Sequence, residues 1–422
     1  MSKYKLIDIC KIEKGKIGIT KATGGNYPLV TTAAERGSHD KPHFNEAATI
    51  VPLVSSTGHG HASIKRLHFQ DGEYAVGSIL AVLTPIDKKF LNAKYLHIYL
   101  SAYKEELLVS QMKGAANVSL TLTRLGEVEI DVPDMTKQLH LIEIFDLYND
   151  FADRSMKKFT TRQRLFDILK MRVIDKGISG ELTKEWRIEN DDLETGAELL
   201  LRIKKSTKDE KVEETNSVSK HEIPFKVPET WEWCRIKNIS EPMINKNIHN
   251  DLKNDIVINY IDIDSIDSKR HKISEPKKSF VKDLSSRARR IVAKGDVLYS
   301  LVRPYLHNIA VVEEQLPNQI GTTGFYVIRP VCVNPNYLLY YLLSSYILHK
   351  HKDALKGFNS PSINVKYFEK ELVPLPPFEE QAEIVRVIEQ IFGKIETLEE
   401  SDKEAMRASK NLIPTLLNER LN

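Results

Sequence analysis

Cysteine is almost absent. Cys10, Cys234 and Cys332 are scattered over 422 residues, which excludes a disulfide framework and a cysteine-built zinc cluster and points to a reducing, cytoplasmic setting. Long apolar runs are also missing. The richest stretch, YLLYYLLSSYIL, falls short of the ~18 residues a membrane helix needs, so it is expected to be a buried helix, with no membrane contact. The opening MSKYKLIDICKIEKGK lacks the apolar centre of a signal peptide. Charge of one sign is not in excess: the net value is +3, so an anionic partner would have to meet local basic patches. Several enzyme motifs are missing too: a G-x-x-x-x-G-K-[ST] phosphate loop, a G-x-S-x-G elbow, an H-E-x-x-H helix, a glycine-rich cofactor loop after a strand, and the aromatic proline motif of amino-methyltransferases. What is present is 41% hydrophobic sequence, enough for two or more domains with real cores.

The chain repeats itself. Pro133 aligns with Pro376 at a shift of 376 − 133 = 243, which also places Gln138 on Gln381, Lys113-Gly114 on Lys356-Gly357 and Ser119 on Ser362. LNAKYLHIYL (91–100) resembles VNPNYLLYYL (333–342) at a shift of 242. Each copy runs in the same order: a strand ending in proline (SILAVLTP, 78–85; GFYVIRP, 324–330), a tyrosine-rich amphipathic helix, a Lys-Gly turn, a short polar stretch, a second strand (EVEIDVP; ELVPLP) and a long helix. So large a period means a duplicated domain rather than a solenoid.

The two long helices carry heptads. Leu141, Phe145, Tyr148, Ala152, Ser155, Phe159, Arg162, Phe166, Leu169 and Val173 alternate spacings of 4 and 3, as do Ile384, Ile388, Ile391, Ile395, Leu398, Asp402, Ala405, Ser409, Leu412 and Leu416. That narrow stripe is a coiled-coil seam. Helices of ~40 residues span roughly 60 Å, more than the width of a ~130-residue domain, so each stripe is expected to be buried against the other helix. Arg162 and Asp402 interrupt the seams near their middles, where they would set register. Pro414 is expected to kink or end the second helix. Between the copies, Gly177 and Gly180 in GISGELTKEWR read as helix breakers, 189–203 as a short helix, and the charged KKSTKDEKVEETNSVSK (204–220) as a linker.

The stretches PLPPFEEQAEIV (374–385), GISGELTKEWR (177–187), IPFKVPETWEWCRI (223–236), GDVLYSLVRPYLHNIAVV (295–312) and GTTGFYVIRP (321–330), in that arrangement around a half-chain duplication, resemble the specificity subunit of type I restriction-modification systems. The first half departs from the fuller pattern, with DVPDMTKQ where the proline-rich stretch would stand. The resemblance implies an α+β chain: two α/β target recognition domains separated by two long antiparallel coiled-coil helices, with a pseudo-twofold internal repeat. The corresponding boundaries are 1–135, a central helix 136–176, a connector 177–224, a second recognition domain 225–377 and a distal helix 378–422. The resemblance further implies a non-catalytic subunit that reads an asymmetric, split site on double-stranded DNA. It would dock two methyltransferase subunits and, through them, restriction/translocase subunits, with S-adenosylmethionine, ATP and Mg confined to those partners. A stiff spacer suits that task, because groove faces recur every ~34 Å along B-DNA.

The densest basic stretch, 267–294, contributes Arg287, Arg289 and Arg290 as expected phosphate contacts, although a solvated lysine-rich face would look the same. The following LYSLVRPYLHNIA offers Ser300, Arg303, Tyr305, His307 and Asn308, groups able to read base edges, or else an ordinary strand-to-loop turn. In the first half SSTGHGHASIKRLHF (55–69) is the matching stretch, with Ser56, Thr57, His59, His61, Ser63, Lys65 and Arg66. The Lys-Gly turns add Lys113 with Asn117, and Lys356 with Asn359 and Ser360, which could equally cap helices. Four other readings compete. His59, His61 and His68 could hold a metal, but no cysteine or carboxylate completes the set. Asp262 and Asp264, two apart on a strand, could bind magnesium in a nuclease. The chain could also be a coiled-coil scaffold that reads no DNA, or the recognition subunit of a related methyltransferase-nuclease system without a separate motor.

Overall fold

The structure, a computed structural model, describes residues 3–18, 24–57, 60–114, 118–206, 218–355 and 361–421, with side chains up to residue 408. Lys356, Asn359, Ser360, Asn117 and His59 lie outside the described residues. The chain forms two compact units, 1–160 with 403–422, and 161–402. Among the described residues no helix is long and apolar enough to cross a membrane. All three cysteines are free.

The first unit centres on an antiparallel sheet in the order Cys10–Lys14, Leu80–Pro85, Ala48–Pro52, His68–Gln70. Ala48–Pro52 is buried along its whole length, which explains why ATIVP is a continuous apolar run without alternation. The helix Ala93–Ala102 packs on this strand and buries Tyr95, Leu96, Tyr99 and Leu100. The short strands Lys3–Lys5 and Glu129–Asp131 pair antiparallel beside it, and Glu129–Asp131 leads into the first long helix, Met135–Ile178.

The second unit repeats this plan. Val297–Ser300 pairs antiparallel with Phe325–Ile328, as Ala48–Pro52 does with Leu80–Pro85. Glu232–Arg235 pairs with Leu372–Leu375, which leads into the second long helix, Phe378–Leu421. Each unit also carries a mixed sheet: Gly37–His39, Tyr27–Val30, Ala75–Val76 in the first, and Lys277–Phe280, Val257–Ile261, Gln319–Thr322, Ala288–Ile291 in the second.

The repeated residues make the same bonds in each unit. Asn92 and Asn334 cap the tyrosine helices by accepting from the N–H groups two and three residues on. Their own backbone N–H groups donate to the side chains of Gln138 and Gln381, both at 2.9 Å. The amide nitrogen of Gln138 donates to Pro133 O and Phe90 O, and that of Gln381 to Pro376 O. Both glutamines are fully buried, so each amide staples the start of a long helix to the start of a tyrosine helix. Tyr95 donates to Asp131 O and Tyr337 to Pro374 O, satisfying strand carbonyls just ahead of each long helix.

Within the second unit the long helices run antiparallel. As numbers rise on the first through Arg162, Lys170 and Gly177, the partners fall through Asp402, Glu399 and Ile388. Ile384, Ile388 and Ile395 are buried in this contact, as their heptad positions imply. Arg162 pairs with Asp402 at 2.5 Å, so the two polar interruptions meet each other. The seam drifts from the expected register, however. Leu169 and Leu398 are 45% and 57% exposed, and Lys170 and Glu399 turn inward instead, paired at 2.9 Å. A helix of 3.6 residues per turn walks off a strict 3.5-residue stripe by ~20° per heptad, which substitutes the next residue.

Three further expectations are corrected. Gly177 lies inside the helix: a Cβ there would come within 2.9 Å of Ile388, so its role is close helix approach. Gly180 alone ends the turn, at φ +76. The second long helix does not end at Pro414 but continues to Leu421, because a proline removes one bond of the ladder while its neighbours can keep helical dihedrals. The short connector helix is Gly196–Ser206, later than 189–203, with Thr195 bonded to Glu198 at its start.

The connector motifs converge on one carboxylate. Glu380 is fully buried; its Oε1 accepts from Thr183 Oγ1 at 2.6 Å and from Arg187 Nε and Nη2 at 2.9 and 2.7 Å. Its Oε2 accepts from Trp231 Nε1 at 2.8 Å. This hub locks the connector to the first turn of the second long helix.

Candidate nucleic-acid interface

In the second unit, Ala288–Ile291 alternates faces, as a strand must. Arg289 and Arg287 are exposed, whereas Arg290 is 7% exposed, with Nη1 donating to Asn245 Oδ1 at 2.7 Å. Burial lowers the Arg290 pKa below the usual guanidinium value. Arg290 therefore has no surface to offer a phosphate, and the exposed cations here are Arg289 on the strand and Arg287 just before it.

Val297–Ser300 ends in a loop built by backbone bonds. Ser300 is 1% exposed and its hydroxyl donates to Val302 O at 2.7 Å, which turns it away from any base edge. Arg303 and His307 are both left-handed, at φ 48 and 56, and bracket the turn Pro304–Leu306. Such conformations cost of order 1–3 kcal/mol for residues with a Cβ and persist only where surroundings enforce them. Here Arg303 N donates to Pro361 O at 2.8 Å, and Ser300 N to Asn308 O at 3.1 Å. Val302 bridges Ser362, and Ile363 N donates to Leu301 O. Arg303 and Tyr305 are exposed; His307 and Asn308 are half-buried, with burial lowering the His307 pKa. Thr323 N donates to Arg287 O and Leu301 N to Gly324 O, so one Thr323-Gly324 turn brings Arg287 and the Arg303 loop to the same sheet end.

The first unit holds its loop in the same way. Val54 bridges Ser119, and Leu120 N donates to Leu53 O, the counterparts of Val302–Ser362 and Ile363–Leu301. Ser119 also exchanges both backbone bonds with Lys113, which places Lys113 beside the loop that starts at Ser55. The hydroxyls here close the loop on itself: Ser55 Oγ and Thr57 Oγ1 donate to His61 O, and Ser56 Oγ lies 3.0 Å from Ser63 Oγ. His61 and Lys65 are exposed and Arg66 is half-buried. Lys104 Nζ donates to Ile64 O and Lys65 O and pins the loop's far end. His68 is buried, with Nδ1 3.0 Å from Arg36 Nη1, whereas His61 is exposed.

Sequence reasoning missed Thr323, Lys104 and the Pro361–Ile363 strap. The strap had a signal, because Ser362 repeats Ser119. The paired-aspartate reading does not match the geometry. The strand ends at Ile261, Asp262 caps the next turn, Asp264 pairs with Lys277 at 2.7 Å, and Asp267 accepts from the Lys269 and Arg270 N–H groups. Among the described residues no group of three or more His, Cys, Asp or Glu side chains is arranged to hold a metal ion.

The family model of the type I restriction modification DNA specificity domain matches residues 1–159 and 228–406. The chain belongs to this family. The specificity subunit of the EcoDI type I restriction enzyme of Escherichia coli is 22% identical over 98% of this chain and 86% of its own length. That of EcoAI, also from Escherichia coli, is 29% identical over 60% of this chain, which spans only 44% of that subunit. Among solved structures, the HsdS subunit of Thermoanaerobacter tengcongensis aligns at 32% identity with a TM-score of 0.41, over 46% of this chain and 50% of that one. The matched segments of the specificity-domain family contain both strapped loops, Ser55–Ile64 and Arg303–Asn308.

Proposed function

We propose that the chain is the DNA-specificity subunit of a type I restriction-modification complex and reads a split, asymmetric site on double-stranded DNA. The observation that carries this is the strapped loop found once in each unit, on equivalent strands and held by equivalent serines, but with unrelated sequences. Equivalent placement suits a common task. Different side chains suit two different half-sites, whereas a symmetric dimer would read a palindrome. Backbone bonds hold the second loop, backbone and hydroxyl bonds the first, and Arg303, Tyr305, Lys65 and His61 are exposed on them.

The subunit performs no catalysis of its own. Two methyltransferase subunits dock on it and carry S-adenosylmethionine; the restriction/translocase subunits recruited through them carry the ATP and Mg chemistry, all in the cytoplasm. The docking face is the apolar strip left by the drifted seam in the second unit, where Leu165, Ile168, Leu169 and Leu398 remain exposed. A strip of this kind on one face of a helix pair suits a partner helix.

The test is methylation mapping in cells that express the chain with its methyltransferase. Arg303→Ala should relax one half-site, at about 1–3 kcal/mol of lost discrimination, and leave the other intact. An equal loss on all sequences would make Arg303 a phosphate contact. A methylated motif identical with and without the chain would refute the assignment.

A further inference from the structure

The dipeptide Tyr305-Leu306 stands on a turn that packs against the helix Ser345–Asp353, and both side chains reach solvent. The two side chains are 46% and 47% exposed. They stand on a single turn flanked by two left-handed residues, Arg303 and His307, while Pro304 between them is buried as an anchor. Leu306 N donates to Arg303 O and His307 N to Pro304 O, so the tip is closed internally. Its base is held by the Arg303 N–H on Pro361 O and by the Ser300–Asn308 bond. An outward-pointing aromatic and aliphatic pair, held in a strained backbone, is ordered before any partner arrives.

The surroundings decide what that partner is. Arg287 emerges at the same sheet end through the Thr323-Gly324 turn, and Arg303 is exposed at the root of the tip. Two apolar side chains among guanidinium groups are far too small a patch for a stable protein interface. They match the pattern of a wedge that enters a base step while cations grip the flanking phosphates.

We infer that Tyr305 and Leu306 form a wedge that inserts into the DNA duplex and unstacks one base step in the half-site read by the second unit. This rests on the DNA-reading function proposed above and adds to it. Selectivity at this half-site then includes how readily the step deforms, and pyrimidine–purine steps are favoured at the wedge position.

The test uses the full chain with its methyltransferase subunits and duplexes bearing the mapped motif, with 2-aminopurine placed in turn at each position of that half-site. Binding should raise the fluorescence several-fold at one step. Tyr305→Ala with Leu306→Ala should return it to the level of the free duplex, while Tyr305→Phe with Leu306→Met, which keeps the bulk, should retain the rise. A rise that persists in the double alanine variant would belong to base extrusion by the methyltransferase and would overturn the wedge. Selective binding with no rise at any step would also overturn it while leaving the DNA-reading assignment standing. Absence of sequence-selective binding by the unmodified complex would overturn both.

Discussion

Replacing Glu380 by glutamine should unfold the second unit at markedly lower denaturant than the first. The carboxylate is fully buried and accepts four hydrogen bonds, three of them on Oε1 from Thr183 and Arg187 and one on Oε2 from Trp231. A glutamine amide oxygen can replace one carboxylate oxygen, but its NH2 group must then face a donor, either Trp231 Nε1–H or the Arg187 fork. Arg187 also loses its counter-charge; its side chain is only 17% exposed, and Nη2 also donates to Gly180 O at 2.6 Å. Removing one partner of a buried pair costs about 3–5 kcal/mol, because the other charge is left uncompensated. With a urea slope of about 2–3 kcal/mol/M, the midpoint should fall by about 1–2 M. The molecule supplies its own reporter: Trp186, Trp231 and Trp233 are its only tryptophans, and all lie in the second unit. Tryptophan emission should therefore show the whole shift, while the far-ultraviolet signal splits into a shifted and an unshifted phase. A midpoint change under about 0.3 M would refute the claim that this carboxylate is charged, buried and structurally required.

Acid should weaken the first unit through two histidines. Burial first, then nearby cations led by Arg36, hold the His68 pKa down at about 4; burial first, then His68 and Arg36, do the same for His97. Both fall below the usual 6.5, so the unfolded chain binds more protons between pH 6.5 and 4 and stability drops as pH falls through that window. The limit is about 3 kcal/mol per site. His68→Gln should flatten the pH dependence of unfolding, and an unchanged slope would count against it. Between the long helices, reversing Lys170 or Glu399 alone should cost about 1 kcal/mol, and reversing both should recover most of it; strict additivity in the cycle would show that the pair does not couple.

Much of this architecture could be read before any coordinates. The duplication was visible in Gln138 and Gln381, because a buried amide that satisfies two or three backbone groups leaves little freedom to substitute it. The pairing of the two helices could be expected from two 3.5-residue stripes too long to bury on their own domains, and its antiparallel sense from the family resemblance. The two loops lie on equivalent strands, but their internal detail was not legible. Ser300 and Arg290 look like DNA contacts in a polar, basic stretch, but alternation turns Arg290 inward on a strand whose phase its neighbour sets, and Ser300 ends a strand buried along its whole length. Asp262 and Asp264 look like a pair on a strand that stops one residue too soon.

Local sequence settled what depends on spacing along the chain: the repeat, the helical stripes, the caps at Asn92 and Asn334 and the family motifs. Tertiary structure alone decided which of two adjacent residues faces the interior. Lys170 rather than Leu169 enters the helix pair, Glu380 rather than Glu379 becomes the hub, and Arg289 rather than Arg290 reaches solvent. Adjacent residues on a helix are about 100° apart and on a strand about 180°, so a small accumulated twist or a shift of one strand exchanges inside for outside. That exchange is set by the partner element, which the local sequence does not contain.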